Sequence, residues 1–143
     1  MPKKSAALWL FKTDPETFSF ADLEAREDGD VWDGVTNALA LQHLRTVATG
    51  DGVLIYHTGK EKAIVGTARV TRGAYPDPKA ADPKIVVVDV KATRRLARPV
   101  TLDDLKGDAR FAAFDLIRIG RLSVMPVPEP YRALLAKMIG SSL

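Results

Sequence analysis

The chain has 143 residues, of which 46% are hydrophobic and 27% charged, with a formal net charge of +3. This is the length and composition of one globular domain that can bury its own core. No run of about 18 apolar residues occurs, which excludes a transmembrane helix and leaves no membrane partner to expect; the lack of cysteine excludes disulfides, thiolate metal sites and cysteine nucleophiles, and fits a cytoplasmic location.

The apolar run after Lys3 and Lys4 breaks at Lys12 and has no small-residue cleavage site, so a signal peptide is not expected. Residues 1–6 read as a flexible tail on a single domain spanning 1–143. "ALWLFK", 7–12, reads as a buried strand with Trp9 in the core. Ser19 with Asp22 three residues later predicts a capped helix ending near Gly29. Ala40, Leu44 and Val47 predict a helix over 36–48, closed by the Gly-Asp-Gly at 50–52. "VLIYH", 53–57, and "AIVGTARV", 63–70, predict strands joined as a hairpin by "TGKEK". Gly66 inside the second of these suggests a bulge or a close approach. "AYPDPKAADP", 74–83, with three prolines, is expected as a loop. "IVVVDVKATRRL", 85–96, predicts a long strand, alternating from Val86 onwards. Thr101 with Asp104 predicts another capped helix, "RLSVMPV", 121–127, a last strand, and 129–139 a C-terminal helix in which Tyr131 packs. Five or six short strands with a few helices define a mixed α+β domain on a twisted sheet or small barrel.

Charge is unevenly spread. Residues 14–33 hold eight acidic groups against Arg26 alone, while residues 91–121 hold eight basic groups against four acidic ones. With a pI near 9.3, the basic stretch suits either a polyanion partner or a solvated surface. Catalytic patterns are thin. The two histidines, His43 and His57, lack metal-ligand spacing, and no GxSxG, Walker or dinucleotide-binding glycine pattern occurs. No catalytic residue, metal site or cofactor is expected. Three segments instead suit binding: "WLFKTDP", 9–15; "WDGVTN", 32–37; and "IYHTG", 55–59. In the last, Tyr56 and His57 should point to opposite faces of one strand, so that at least one leaves the core.

"WLFKTDP", "VWDGV" followed by Asn37, "LIYHTG" with "IVGTARV", "YPD", "DPK" with "VVDV", "RPVTLDDLK" and "RLSVMPV" together resemble, in order, the signature segments of the EVE domain. This family is a branch of the PUA-like superfamily and is related to the YTH domain. The resemblance runs from about residue 7 to 139. It implies a PUA-like pseudobarrel: a strongly curved, mostly antiparallel sheet of five or six strands with helices packed at its ends. It also implies a non-catalytic module that reads a modified base in nucleic acid, chiefly a modified cytosine, with DNA favoured over RNA. Such a reader takes the base out of the stack into a pocket.

By the same resemblance, the pocket residues are Lys12, Thr13, Trp32, Asn37, Tyr56, His57, Thr58 and Ser123. Trp32 is the candidate aromatic wall and Asn37 the candidate amide for a base edge. Arg121 is the foremost phosphate contact, with Arg94 and Arg95 beside it. His57 has a plainer reading as a hydrogen-bonded group fixing a strand end. Arg94, Arg95 and Arg98 could equally form a solvated edge. The chain departs from the family at Thr36, usually arginine, at Ala38–Gln42, usually Tyr-Gln-Ala-Arg-Asn, and at Ile85, where a tryptophan is expected. The helix after Trp32 is therefore more apolar than the family's. The alternative function is an enzyme or small-molecule sensor that uses the same pocket for a free nucleoside or metabolite.

Overall fold

The computed structural model describes residues 6–141 and 143. The expected tail, apart from Ala6, lies outside them. Six strands form one mixed sheet: β1 (Leu8–Thr13), β2 (Asp30–Trp32), β3 (Gly52–His57), β4 (Ala63–Pro76), β5 (Val86–Thr101) and β6 (Val124–Pro126), in the order β2-β5-β4-β3-β1-β6. Among the described residues only the β1–β3 pair is parallel. A parallel pair needs a crossover, and here it holds α1 (Phe20–Glu24), β2 and α2 (Ala38–Leu44). The sheet curls into half a barrel, the pseudobarrel implied by the sequence resemblance.

Curvature has a visible source. Register shifts interrupt β3–β4 between Ile55 and Tyr56, and β4–β5 at four places, among them Ile64/Gly66. Gly66 lies against the ring of Phe20; a Cβ there would fall 2.3 Å from Phe20 Cζ. The glycine therefore serves both expected uses, a bulge and a close approach. α1 is held onto the sheet by this contact.

Helix ends follow their caps. Ser19 and Asp22 form the expected capping box on α1, and Thr101 and Asp104 form the other on α3 (Leu102–Lys106). α2 is shorter than the 36–48 expected, because Asn37 caps it and the chain turns from Arg45 onwards. A 3-10 turn (Ala109–Phe111) and α4 (Asp115–Arg118) were not legible, since neither is long enough to show a period. β2 was likewise too short. β4 extends to Pro76, into the stretch expected as a loop, because a proline at a strand end keeps its missing N–H out of the ladder. α5 (Glu129–Ile139) has the expected bounds, and Tyr131 stacks on Phe114 and Phe111, with ring centroids 4.9 and 5.8 Å apart.

One apolar cluster runs through the molecule, from Leu8, Phe11 and Phe20 to Phe111, Phe114 and Leu135. Both faces of β3 belong to the interior: Val53 through His57 are all buried. Tyr56 and His57 do lie on alternate sides, yet neither leaves the core, because α1 covers one face and the segment around α3 and α4 lies against the other.

Candidate functional site

Trp32, at the end of β2, is only 7% exposed. Its ring packs on Phe11, 5.4 Å between centroids, and edge-on to Phe18 at 6.2 Å. What remains uncovered lines a cleft of about 510 Å³. Trp32 is thus core and cleft wall at once, and it offers the cleft a strip of indole rather than a whole face. The rest of the aromatic lining comes from Phe18 and Tyr75.

Three parts of the chain meet at this cleft. The end of β1 and the turn after it supply Lys12, Thr13, Thr17 and Phe18; β2 and the residues after it supply Asp30 to Gly34; the end of β4 and its loop supply Tyr75 to Lys79. The turn is set locally: Asp14 O accepts from Thr17 N and Phe18 N, and Thr13 Oγ1 donates to Phe18 O at 2.7 Å. Gly34 has φ +79°, which the chain needs as it leaves β2. Tyr75 is fixed on one side by Arg72, whose guanidinium lies 3.8 Å over the ring, and at its tip by a hydrogen bond to Asp89. Burial, then that hydrogen bond, push the Tyr75 pKa up to about 12, so the phenol stays a donor.

The polar lining is mixed. Asp30, Asp33 and Asp77 line it together with Lys12 and Lys79. Asp30 is paired with Arg26 at 3.3 Å, and Asp77 closes a turn by accepting from Lys79 N. Carboxylates at a cleft rim accept from exocyclic amines, such as cytosine N4. Lys12 is half-buried; burial lowers its pKa, and its ammonium donates to Gly120 O at 2.8 Å while lying 5.6 Å over the Tyr56 ring.

The residues singled out from sequence fall into separate places. Lys12, Thr13 and Trp32 line the cleft together. Tyr56 and Thr58 line a smaller neighbouring cleft, to which Lys12 also contributes. Asn37 lines neither; its Oδ1 accepts from Ala40 N at 3.0 Å as the cap of α2. His57 also lines neither. Its Nε2 accepts from Phe20 N at 2.9 Å and its Nδ1 meets Glu61 Oε1 at 2.6 Å, so the ring proton sits on Nδ1 and the ring ties α1 to β3. Ser123 lies outside both clefts, where its carbonyl accepts from Lys12 N. Arg121 is exposed on the same loop. Arg94 and Arg95 line a third, shallow depression beside the end of α5; Arg94 donates to Ser141 and Arg95 is paired with Glu24.

Phe18, Tyr75, Asp77 and Lys79 were not singled out as site residues. Tyr75 and Asp77 carried a signal, since "YPD" is one of the segments in the family resemblance; Phe18 carried none, because only the turn after β1 brings it beside Trp32.

A model of the EVE domain matches residues 7–138. The chain belongs to the EVE domain family. Thymocyte nuclear protein 1 of Rattus norvegicus is 33% identical across 73% of this chain and 57% of that protein; the chain thus spans little more than half of that relative's length. Among solved structures, the protein Rpa0253 from Rhodopseudomonas palustris is 40% identical with a TM-score of 0.88, covering 94% of each chain. Human THYN1, crystallised in complex with 5-methylcytosine-containing DNA, is 26% identical with a TM-score of 0.86, covering 96% of this chain and 100% of that one.

Proposed function

We propose that this EVE domain is a binding module for nucleic acid that reads a modified base, foremost a modified cytosine in DNA, held in the cleft beside Trp32. The observation that carries the reading is the cleft itself: about 510 Å³, with Trp32, Phe18 and Tyr75 as aromatic lining and carboxylates among its polar groups. Its volume falls in the range of small-ligand sites. Aromatic rings suit the π-face of a base, at roughly 1–3 kcal/mol per stacked base, and carboxylates suit an exocyclic amine. The human relative crystallised with 5-methylcytosine-containing DNA supports the choice of base and of DNA.

A second reading is favoured by one feature. The cleft lining holds three carboxylates against two lysines, which suits a neutral free nucleoside or metabolite as well as a base whose phosphates stay outside. Salt separates the two. Affinity for an oligonucleotide falls steeply with salt as counterions are released, whereas affinity for a neutral ligand does not. The decisive experiment is a binding panel of oligonucleotides with plain and modified cytosines and adenines at two salt concentrations. We expect preference for a modified cytosine and a negative salt slope. Equal binding of plain and modified strands would sink the reader proposal.

A further inference from the structure

The smaller cleft, about 230 Å³, adjoins the first through Lys12 and is lined by Tyr56, Thr58, Lys62, Lys106 and Gly120 among others. Its chemistry differs from that of its neighbour. Three lysines line it and no carboxylate does. Among the described residues, none of the three pairs with an acid. Lys12 uses one of its ammonium's three donors, on Gly120 O, and carries its charge in a half-buried position.

Tyr56 supplies an independent observation. It is 4% exposed, and its hydroxyl makes no hydrogen bond among the described residues. Among the described residues no fully buried side-chain oxygen or nitrogen is left without a partner, so this hydroxyl is not fully enclosed, and Tyr56 lines the cleft. A buried side chain that keeps its one polar atom free and open to a cationic cleft is a donor awaiting an acceptor. The loop above it is held in an unusual form: Lys62 has φ +44° and Gly59 φ +78°. A non-glycine residue in the left-handed region is a cost that clusters at ligand sites. Leu102 N donates to Lys62 O and anchors that conformation to the start of α3.

We propose that this cleft is a phosphate-binding subsite, in which the Tyr56 hydroxyl and the ammonium groups of Lys12, Lys62 and Lys106 hold a phosphate group. The phosphate is that of a nucleotide flanking the base in the larger cleft. That second statement rests on the base-reading proposal; the binding of phosphate does not. Lys12, shared by both clefts, links them.

The test has two arms. In the first, inorganic phosphate is titrated into the protein against chloride at matched ionic strength, with side-chain NMR signals of Tyr56 and the lysines as readout. Saturable shifts with phosphate alone are expected. Tyr56→Phe, which keeps the ring and its packing, should weaken that binding about tenfold, the size of one hydrogen bond to a charged group. In the second arm, oligonucleotide affinity is measured against salt for the Lys62→Ala/Lys106→Ala double variant. The slope should become shallower by about one unit. Shifts no larger with phosphate than with chloride overturn the subsite. Saturable phosphate binding with an unchanged oligonucleotide slope overturns its assignment to nucleic acid. If modified-base preference is absent while phosphate binding persists, the base-reading proposal fails and the subsite stands.

Discussion

Asp51 shows what a single buried charge does here. It is 7% exposed, and its carboxylate accepts from Trp9 Nε1 at 2.9 Å, Ala48 N at 2.9 Å and Ala7 N at 3.2 Å. The Trp9 indole and two chain segments therefore converge on one side chain. Removing it leaves the donor of the buried Trp9 indole and the backbone N–H groups of the exposed Ala7 and Ala48 without this acceptor, the indole at the largest desolvation loss. Asp51→Ala should lower stability by about 3 kcal/mol or more in urea unfolding; a loss below about 1 kcal/mol would show that water replaces the carboxylate. Trp32 poses the opposite question, since it is packed and cleft-lining together. Trp32→Ala would leave a cavity worth about 3–5 kcal/mol and so confuse folding with binding. Trp32→Phe keeps an aromatic ring on Phe11 and Phe18, at a cost of about 1–2 kcal/mol in lost burial. We expect it to fold and to bind a modified-cytosine oligonucleotide several-fold more weakly than the parent. Unchanged affinity in the folded variant would assign the indole to the core alone.

At the scale of elements, the short helices depend on their ends. α3 has five residues, too few to persist on propensity. Its capping box is reciprocal: Thr101 Oγ1 accepts from Asp104 N at 3.0 Å and Asp104 Oδ2 accepts from Thr101 N at 3.1 Å. The hydrogen bonds from Thr101 hold the Asp104 carboxyl below its ordinary value of 3.8. The sign follows from linkage. A carboxylate whose folded pKa is depressed contributes stability above its unfolded value, and that contribution is lost as pH falls through the folded one. Asp104→Asn should therefore destabilise at neutral pH, and the gap to the parent should close as pH falls below about 3.8. A gap that stays constant down to acid pH would show the carboxylate charge to be irrelevant. Thr101→Ala should cost about 1 kcal/mol, the usual worth of a side-chain cap. The two boxes were legible because their residues lie three apart and need nothing distant. β2 was not, because its three residues acquire strand geometry only by pairing with Val88–Val90 of β5.

At the scale of the molecule, folding brings the acidic and basic stretches of the sequence together. Arg95, in the basic stretch, pairs with Glu24 in the acidic one, and Arg110 and Arg118 pair with nearby Asp108 and Asp115. Part of the apparent phosphate track is thus already neutralised. Arg121 has no carboxylate partner among the described residues and sits on the loop that Lys12 staples to β1 through Gly120 O and Ser123 O. Arg121→Ala should reduce the salt slope of oligonucleotide binding by about one unit, and Arg95→Ala by less. Equal effects would mean that the Glu24 pair opens on binding. Exposed ion pairs are worth little, so Arg95→Ala should leave stability almost unchanged.

The sequence by itself determined the capping boxes, the hairpin, the C-terminal helix, the core role of Trp9 and, through seven ordered segments, the family and its pseudobarrel. Each rests on near-neighbour chemistry or on motif order, which a linear chain displays in full. It also put Lys12, Thr13 and Trp32 forward, and the fold brings those three to one cleft. Only the tertiary structure decided that Asn37 Oδ1 caps α2 and that both ring nitrogens of His57 are engaged by Phe20 N and Glu61, that Phe18 and Tyr75 stand beside Trp32, and that Tyr56 faces a separate cationic cleft. The reason is physical. A side chain's residue type states what it can bond to, but which partner it finds depends on the element that packs over it. Here that element is α1 for His57 and the segment around α3 and α4 for Tyr56, and both arrive from distant parts of the chain.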